Sequence, residues 1–434
     1  MPYLHGFRRI IYEYQPLVDA IMSVVGLEEG DSGHESRSPE DETRLCSSLM
    51  ELLERESHSE EFMNGISYAL FKMAERGQVE AAEVLLQYGA DLNFEDPVSF
   101  YSPLHIAVLR NRPNMVKLLI EHQAHIEERD RIHESSPLDL ASEDSDRLPC
   151  LLALLDLGAD VNACDKRGKT PLIHALASSD GLTVNNTENI QLLLQRGADV
   201  QAVTEDGETV ASLLVFLVKE AFDANAEEAA EMGKFCLKTM QLLLAHGVDP
   251  SCDVNDSDSS LTQTSLEHFD LLFPLAVLIV QSGASLFCAH SDSCWQASTI
   301  IFQRLQTALR QCLDPNYASE LLEQAEILLD LVKVNYPTVS LHSRLGPLTL
   351  GQGPHPYAQE LQNLHSRVVM HDASPAALKC LCRALIRGHL QPWPLEEKIN
   401  ALPLPDRLKG FLLPERTYKP KPGWDCFKPQ QRQL

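Results

Sequence analysis

Apolar residues recur along the chain in distinct rhythms, and each rhythm predicts a different kind of segment. Phe7, Ile10, Ile11, Tyr14, Leu17, Val18, Ile21 and Val25 fall at helical spacing and predict an amphipathic helix. Residues 28–43, rich in Glu, Asp, Gly and Ser, show no apolar period and predict an acidic linker. Together they make residues 1–63 a helical extension, expected to pack on the helices that begin near residue 64. From residue 64 onward, Leu-rich helical phrases repeatedly stop at a Gly-Ala-Asp triplet. Ile300, Ile301 and Leu305, then Leu321, Leu322, Ala325, Leu328 and Leu329, continue a helical period without the triplet. Residues 337–356 are dense in Pro and Gly and predict a linker. Helical spacing resumes beyond residue 357 in a different vocabulary.

The triplet occurs as Gly89-Ala90-Asp91, Gly158-Ala159-Asp160, Gly197-Ala198-Asp199 and Gly247-Val248-Asp249. Gln123-Ala124-His125 and Gly283-Ala284-Ser285 are weaker copies. Successive steps are 34, 35, 39, 50 and 36 residues. A second phrase precedes it: Ser102-Pro103-Leu104-His105-Ile106-Ala107, with looser copies at Ser136–Ala141 and Thr170–Ala175. Ser or Thr caps a short helix, and Pro occupies the first turn, where its missing N–H is harmless. The glycine of the triplet ends the second helix in a left-handed conformation. Both phrases, in register at this period, resemble ankyrin repeats. The resemblance implies six copies over 64–290 (about 67–96, 97–130, 131–165, 166–204, 205–254 and 255–290). A degenerate capping repeat is expected at 291–336, because the end of a solenoid must be covered. The long steps place insertions at 178–187 and about 219–233, expected as loops between the two helices of a repeat. Gln123, in place of the terminating glycine, predicts a strained or irregular helix end.

Near the C-terminus, Leu378, Cys382 and Ile386 lie on one helical face, and Leu402-Pro403-Leu404-Pro405 leads into Leu408 and Phe411. The first piece resembles the elongin-binding half of a SOCS box, and the second its cullin-5-binding half. The resemblance spans 357–415, with 416–434 left as a basic tail. It departs at Phe411, which stands where tyrosine is usual. The order of modules resembles the ankyrin repeat and SOCS box protein family, and implies an all-α fold, a solenoid followed by a small helical box. It further implies that Leu378, Leu381, Cys382 and Ile386 contact elongin. Leu402, Pro403, Leu404, Pro405, Leu408 and Phe411 would contact cullin-5. The partners implied are elongin B and elongin C, cullin-5 with its RING-box subunit, and an unidentified target protein held for ubiquitination and proteasomal degradation. The competing expectation is a non-catalytic adaptor that tethers partners without assembling a ligase.

Composition sharpens this picture. With 36 basic and 62 acidic residues in 434, the net charge is −26, which disfavours binding to nucleic acid or a membrane surface. The imbalance is −32 over residues 1–336 and +6 beyond, which separates two units and suggests a target with a basic surface. The longest apolar run, Leu271–Val280, is ten residues, too short to span a bilayer. Met1–Arg9 shows no secretory h-region. Eleven scattered cysteines predict reduced thiols in the cytosol or nucleus, and a cytoplasmic location is expected.

Catalytic chemistry finds no support. Gly168-Lys169-Thr170 imitates the end of a phosphate loop, but Ala163 replaces its first glycine. Cys380 and Cys382 lack a second ligand pair, so no metal and no cofactor are expected. His105 and His174 occupy positions that join neighbouring repeats, and no nucleophile signature occurs. The chain is expected to be a non-catalytic subunit. For the target surface, the first finger carries Phe94, Phe100 and Tyr101, and the next carries Arg129, Arg131 and His133. Aromatic and Arg side chains are the types enriched at interface hot spots.

Overall fold

The computed structural model describes residues 3–26, 39–248, 260–284, 297–312, 314–335, 357–373, 378–390 and 395–413. The linker expected at 337–356 and the tail at 416–434 lie outside them. Regular structure among the described residues is helical throughout. The chain divides into two compact units, one of residues 1–178 with 188–198 and one of 179–187 with 199–434.

In the first unit, α1 (Tyr3–Val25) and α2 (Pro39–Glu56) precede the pairs α3 (Phe62–Arg76) with α4 (Val79–Gln87) and α5 (Pro103–Leu109) with α6 (Pro113–Glu121). Next come α7 (Pro137–Ser142) with α8 (Leu148–Asp156), and α9 (Pro171–Ala177) with α10 (Thr187–Gln195). The odd-numbered helices α1 to α9 pack in series, and α2, α4, α6 and α8 form a second row. Helices α1 and α2 therefore stack on α3 and α4 as one repeat stacks on the next. Tyr14, Val18, Ile21 and Val25 of α1 are buried, and its Leu17 lies against Gly65 of α3 so closely that any added Cβ would clash.

Local chemistry sets the ends of these helices. The Ser102, Ser136 and Thr170 side chains each accept the N–H three residues on, and Pro103, Pro137 and Pro171 follow in the first turn. Each such cap stabilises its helix by about 1 kcal/mol. At the other end, Gly89, Gly158, Gly197 and Gly247 have φ between +89° and +97°. Gln123 adopts φ +73° and keeps the same pattern, its N–H donating to Ile120 and that of Ala124 to Leu119. The helix end is thus regular in shape and strained in backbone. Replacing exposed Gln123 with glycine releases the left-handed strain of about 1–2 kcal/mol, partly offset by added chain entropy. Gln123→Gly is expected to raise Tm by about 2–4 °C in a thermal melt, and an unchanged or lowered Tm would contradict the strain.

The fingers share a device that no motif announced. Asp96, Asp130 and Asp165, buried or half-buried, accept backbone N–H groups of their own turns. Asp130, for example, accepts from Ile132, His133 and Ser135. Each finger then needs a left-handed residue, supplied by Gly168 in the third but by Phe100 (φ +59°) and Glu134 (φ +57°) in the first two.

The second unit contains α11 (Val210–Asp223) with α12 (Ala226–Ala245), α13 (Leu261–Glu267) with α14 (Phe269–Ser282), and α15 (Ala297–Gln311) with α16 (Pro315–Asn335). After them come α17 (Ala358–Ala373), α18 (Leu378–Leu390), α19 (Leu395–Ala401) and α20 (Asp406–Leu412). The insertion at 219–233 is not a loop. It lengthens α11 to 14 residues and α12 to 20, against 7 for α9 and 9 for α10. Apolar Val218, Ala221, Met232 and Phe235 continue the buried faces, and Asn225 caps α12 between them. The insertion at 178–187 is a loop, folded around Asp180, whose carboxylate accepts from the N–H groups of Leu182, Thr183 and Val184. Gly181 packs closely against Met232 and Phe235, and its φ of +74° favours glycine. Leu361, Leu364 and Val368 of α17 join the core built by α14, α15 and α16. Asp270 of α14 and Arg304 of α15 make a bidentate pair at 2.7 and 2.8 Å, with the carboxylate wholly buried.

Candidate functional site

The C-terminal box is built from α18, α19 and α20 around Ile399 and Leu412. Ile386, Leu390, Leu402, Leu404 and Leu413 pack on that small core. Arg383 of α18 stands over the Phe411 ring, 5.1 Å from its centroid, and Nη1 donates to the Phe411 carbonyl at 3.4 Å. This attraction needs the ring face and not a phenol hydroxyl, so phenylalanine serves where tyrosine is usual. Lys409 of α20 donates to the Asn400 carbonyl of α19 at 2.7 Å.

Of the residues expected to contact elongin, Leu378 and Cys382 are exposed and Leu381 is half-buried, while Ile386 turns to the box core. Leu385, 65% exposed, completes a stripe with Leu378, 76% exposed, and Cys382. It falls at i+7 from Leu378, a spacing that marks it as part of that face. Of the residues expected to contact cullin-5, Pro403, Pro405 and Leu408 are exposed. Leu402, Leu404 and Phe411 are half-buried against the box core or Arg383. The two sets thus share one core.

The expected target residues are more committed to the fold. Phe94 meets Tyr68 edge-on at 6.1 Å, Tyr101 stacks on His105 at 5.8 Å, and half-buried Phe100 occupies the left-handed finger position. Arg129 donates to the buried Asp139 carboxylate at 2.8 Å, and Arg131 pairs with Glu95 at 2.8 Å. His133 is exposed. Beside them Val98, 68% exposed, and Ile132, 55% exposed, occupy equivalent finger tips 34 residues apart. Their apolar character at matching repeat positions was the available signal.

The two signature histidines join neighbours and titrate in opposite directions. His105 Nδ1 lies 2.7 Å from Ser102 Oγ, and Nε2 lies 3.2 Å from the Ser135 carbonyl. Burial pushes its pKa below the ordinary 6.5, outweighing the Ser135 carbonyl. Burial also depresses His174, but the hydrogen bond with Glu143 at 3.2 Å and the carboxylates of Asp139 and Asp165 outweigh it, and its pKa lies above 6.5. His105 therefore contributes stability above pH 6.5 that is lost as pH falls through its depressed pKa. His174 contributes stability below pH 6.5 that is lost as pH rises through its elevated pKa. NMR titration should find His174 protonating at higher pH than His105; the reverse order would refute these assignments.

Among the described residues, no helix is long and apolar enough to cross a membrane, and no group of three or more His, Cys, Asp or Glu is arranged to hold a metal ion. Helix pairs of ankyrin type leading to a three-helix box define the class of an ankyrin-repeat adaptor with a C-terminal SOCS box. Comparison with known proteins agrees. The SOCS box family model matches residues 374–413, and ankyrin-repeat models match 44–130, 138–181 and 167–205. The chain is 50% identical over 423 residues to "Ankyrin repeat and SOCS box protein 6" of Homo sapiens, covering 96% of this chain and 98% of the relative. The proteins of the same name from Pongo abelii and Mus musculus are each 51% identical, over 96% and 95% of this chain and 98% of each relative. The chain belongs to the ankyrin repeat and SOCS box protein family, a family of substrate adaptors rather than catalysts.

Proposed function

We propose that this protein is the substrate-recognition subunit of an elongin–cullin-5–SOCS-box ubiquitin ligase, acting in the cytoplasm. The observation that carries the reading is the solvent-facing Leu378, Cys382 and Leu385 stripe on α18. Two leucines this exposed on one helix face mark a surface that a partner helix or groove covers. Elongin C, with elongin B, would take this stripe. Cullin-5 and its RING-box subunit would take the neighbouring Pro403, Pro405 and Leu408. A target would rest on the fingers, with Val98 and Ile132 at the tips beside Phe94, Phe100, Tyr101, Arg129, Arg131 and His133. The adaptor makes and breaks no bonds. It raises the effective concentration of a target lysine near the charged thioester.

Because Leu402 and Leu404 belong to the shared core, the cullin surface is best tested through its exposed residues. The triple variant Pro403→Ala, Pro405→Ala, Leu408→Ala is expected to weaken cullin-5 capture by about tenfold or more while leaving elongin capture within about twofold. Calorimetry with purified elongin B–elongin C, followed by cullin-5, reads both. Equal loss of both partners would end the assignment of a separate cullin surface.

A further inference from the structure

Helix α18 buries two arginines while two of its leucines stay outside. Arg383 and Arg387, one turn apart, are 3% and 4% exposed, while leucines on the same helix face solvent. A buried guanidinium needs acceptors, and these two arginines find them on different neighbours. Arg383 reaches α20 within the box. Arg387 Nη2 donates to the Gln281 carbonyl at 3.1 Å, across 106 residues of chain.

Gln281 lies in the last turn of α14. The helix dipole presents its negative end there. That is a site suited to a cation. Helix α16 packs on α18 as well, so the box rests on the final helix pairs and Arg387 supplies a directional bond within that contact. Apolar surfaces can slide against each other at small cost, whereas a charged N–H aimed at one carbonyl favours one arrangement.

We infer that Arg387 is a positioning residue: by holding the C-terminal end of α14 it fixes the angle of the SOCS box against the repeats that precede it. The inference rests on the ligase reading for its consequence, which is that the elongin and cullin-5 surfaces of the box are held at a constant angle to α14 and α16. The angle itself is testable without ligase activity.

The test is cross-linking mass spectrometry on the full chain, alone and with elongin B–elongin C. It maps links from Lys379, Lys398 and Lys409 of the box into residues 199–335. Arg387→Ala is expected to lose or scatter about half or more of these links while elongin affinity stays within about twofold. Arg387→Lys is expected to restore the wild-type map, because an ammonium still donates to the Gln281 carbonyl. Should Arg387→Ala unfold the box, Arg387→Gln is read in the same way. An unchanged map in a folded variant would overturn the inference. So would a roughly tenfold loss of elongin affinity, since Arg387 would then belong to the elongin surface. Failure of the wild-type chain to bind elongin would count against the ligase reading alone, with the map on the free chain still deciding the role of Arg387.

Discussion

The full chain carrying Leu378→Ala and Leu385→Ala is expected to lose elongin C binding by about a hundredfold or more. Burying a leucine side chain is worth about 1.5–3 kcal/mol, and each factor of ten in affinity is about 1.4 kcal/mol. Both side chains stand mostly in solvent in the free protein, so shortening them removes little internal packing. Alanine also favours the helix slightly over leucine. The melting temperature should therefore hold while affinity falls, and isothermal calorimetry beside a thermal melt separates the two. An affinity within about threefold of wild type would exclude this face as the elongin surface.

A large effect of the opposite kind, on stability and not on binding, is expected at Arg304. Its two N–H groups satisfy Asp270, whose carboxylate has no access to water. Arg304→Ala leaves that charge buried without its guanidinium, a change that costs about 3–5 kcal/mol in comparable pairs. Urea unfolding followed by helical circular dichroism should show the loss in the C-terminal unit. Replacing both partners by apolar residues, Asp270→Leu with Arg304→Met, is expected to recover most of it, because no unpaired charge remains. A single variant within about 1 kcal/mol of wild type would contradict this account of the pair.

Where the sequence was legible, a residue type had one physical job. Ser and Thr before Pro cap helices, glycine after a Leu run turns left-handed, and the steps of 34 to 50 residues count the repeats. The box was legible for the same reason, through prolines that shape its extended segment and leucines spaced around a helix. The reading failed where a residue took on another type's conformation. Phe100 and Glu134 both adopt the left-handed backbone that glycine would signal. The insertion at 219–233 was missed as helix because repeat length, and not apolar spacing, set its boundaries. Arg383, Arg387 and Leu385 were missed for a deeper reason. Pattern reading assumes that charge faces water and leucine faces the core. On α18 that assumption fails at four positions, with Leu378 and Leu385 left outside and Arg383 and Arg387 turned to carbonyl and ring acceptors within the chain.

Ile386 carries a packing role within the box. Its place in the family pattern implies contact with elongin, yet here it packs with Leu402 and Leu404 against Ile399 and Leu412. A substitution at Ile386 therefore acts through the box core, and only Leu378, Cys382 and Leu385 report on the surface itself.

The ligase reading requires the box to assemble a complex around the repeats. Its most direct test is the mass of the complex formed when the purified full chain is mixed with elongin B–elongin C and cullin-5, read by size-exclusion chromatography with light scattering. A single species holding one copy of each component is expected, which breaks down when Leu378→Ala and Leu385→Ala are introduced. A folded chain that elutes alone, with the elongins and cullin-5 in separate peaks, would contradict it.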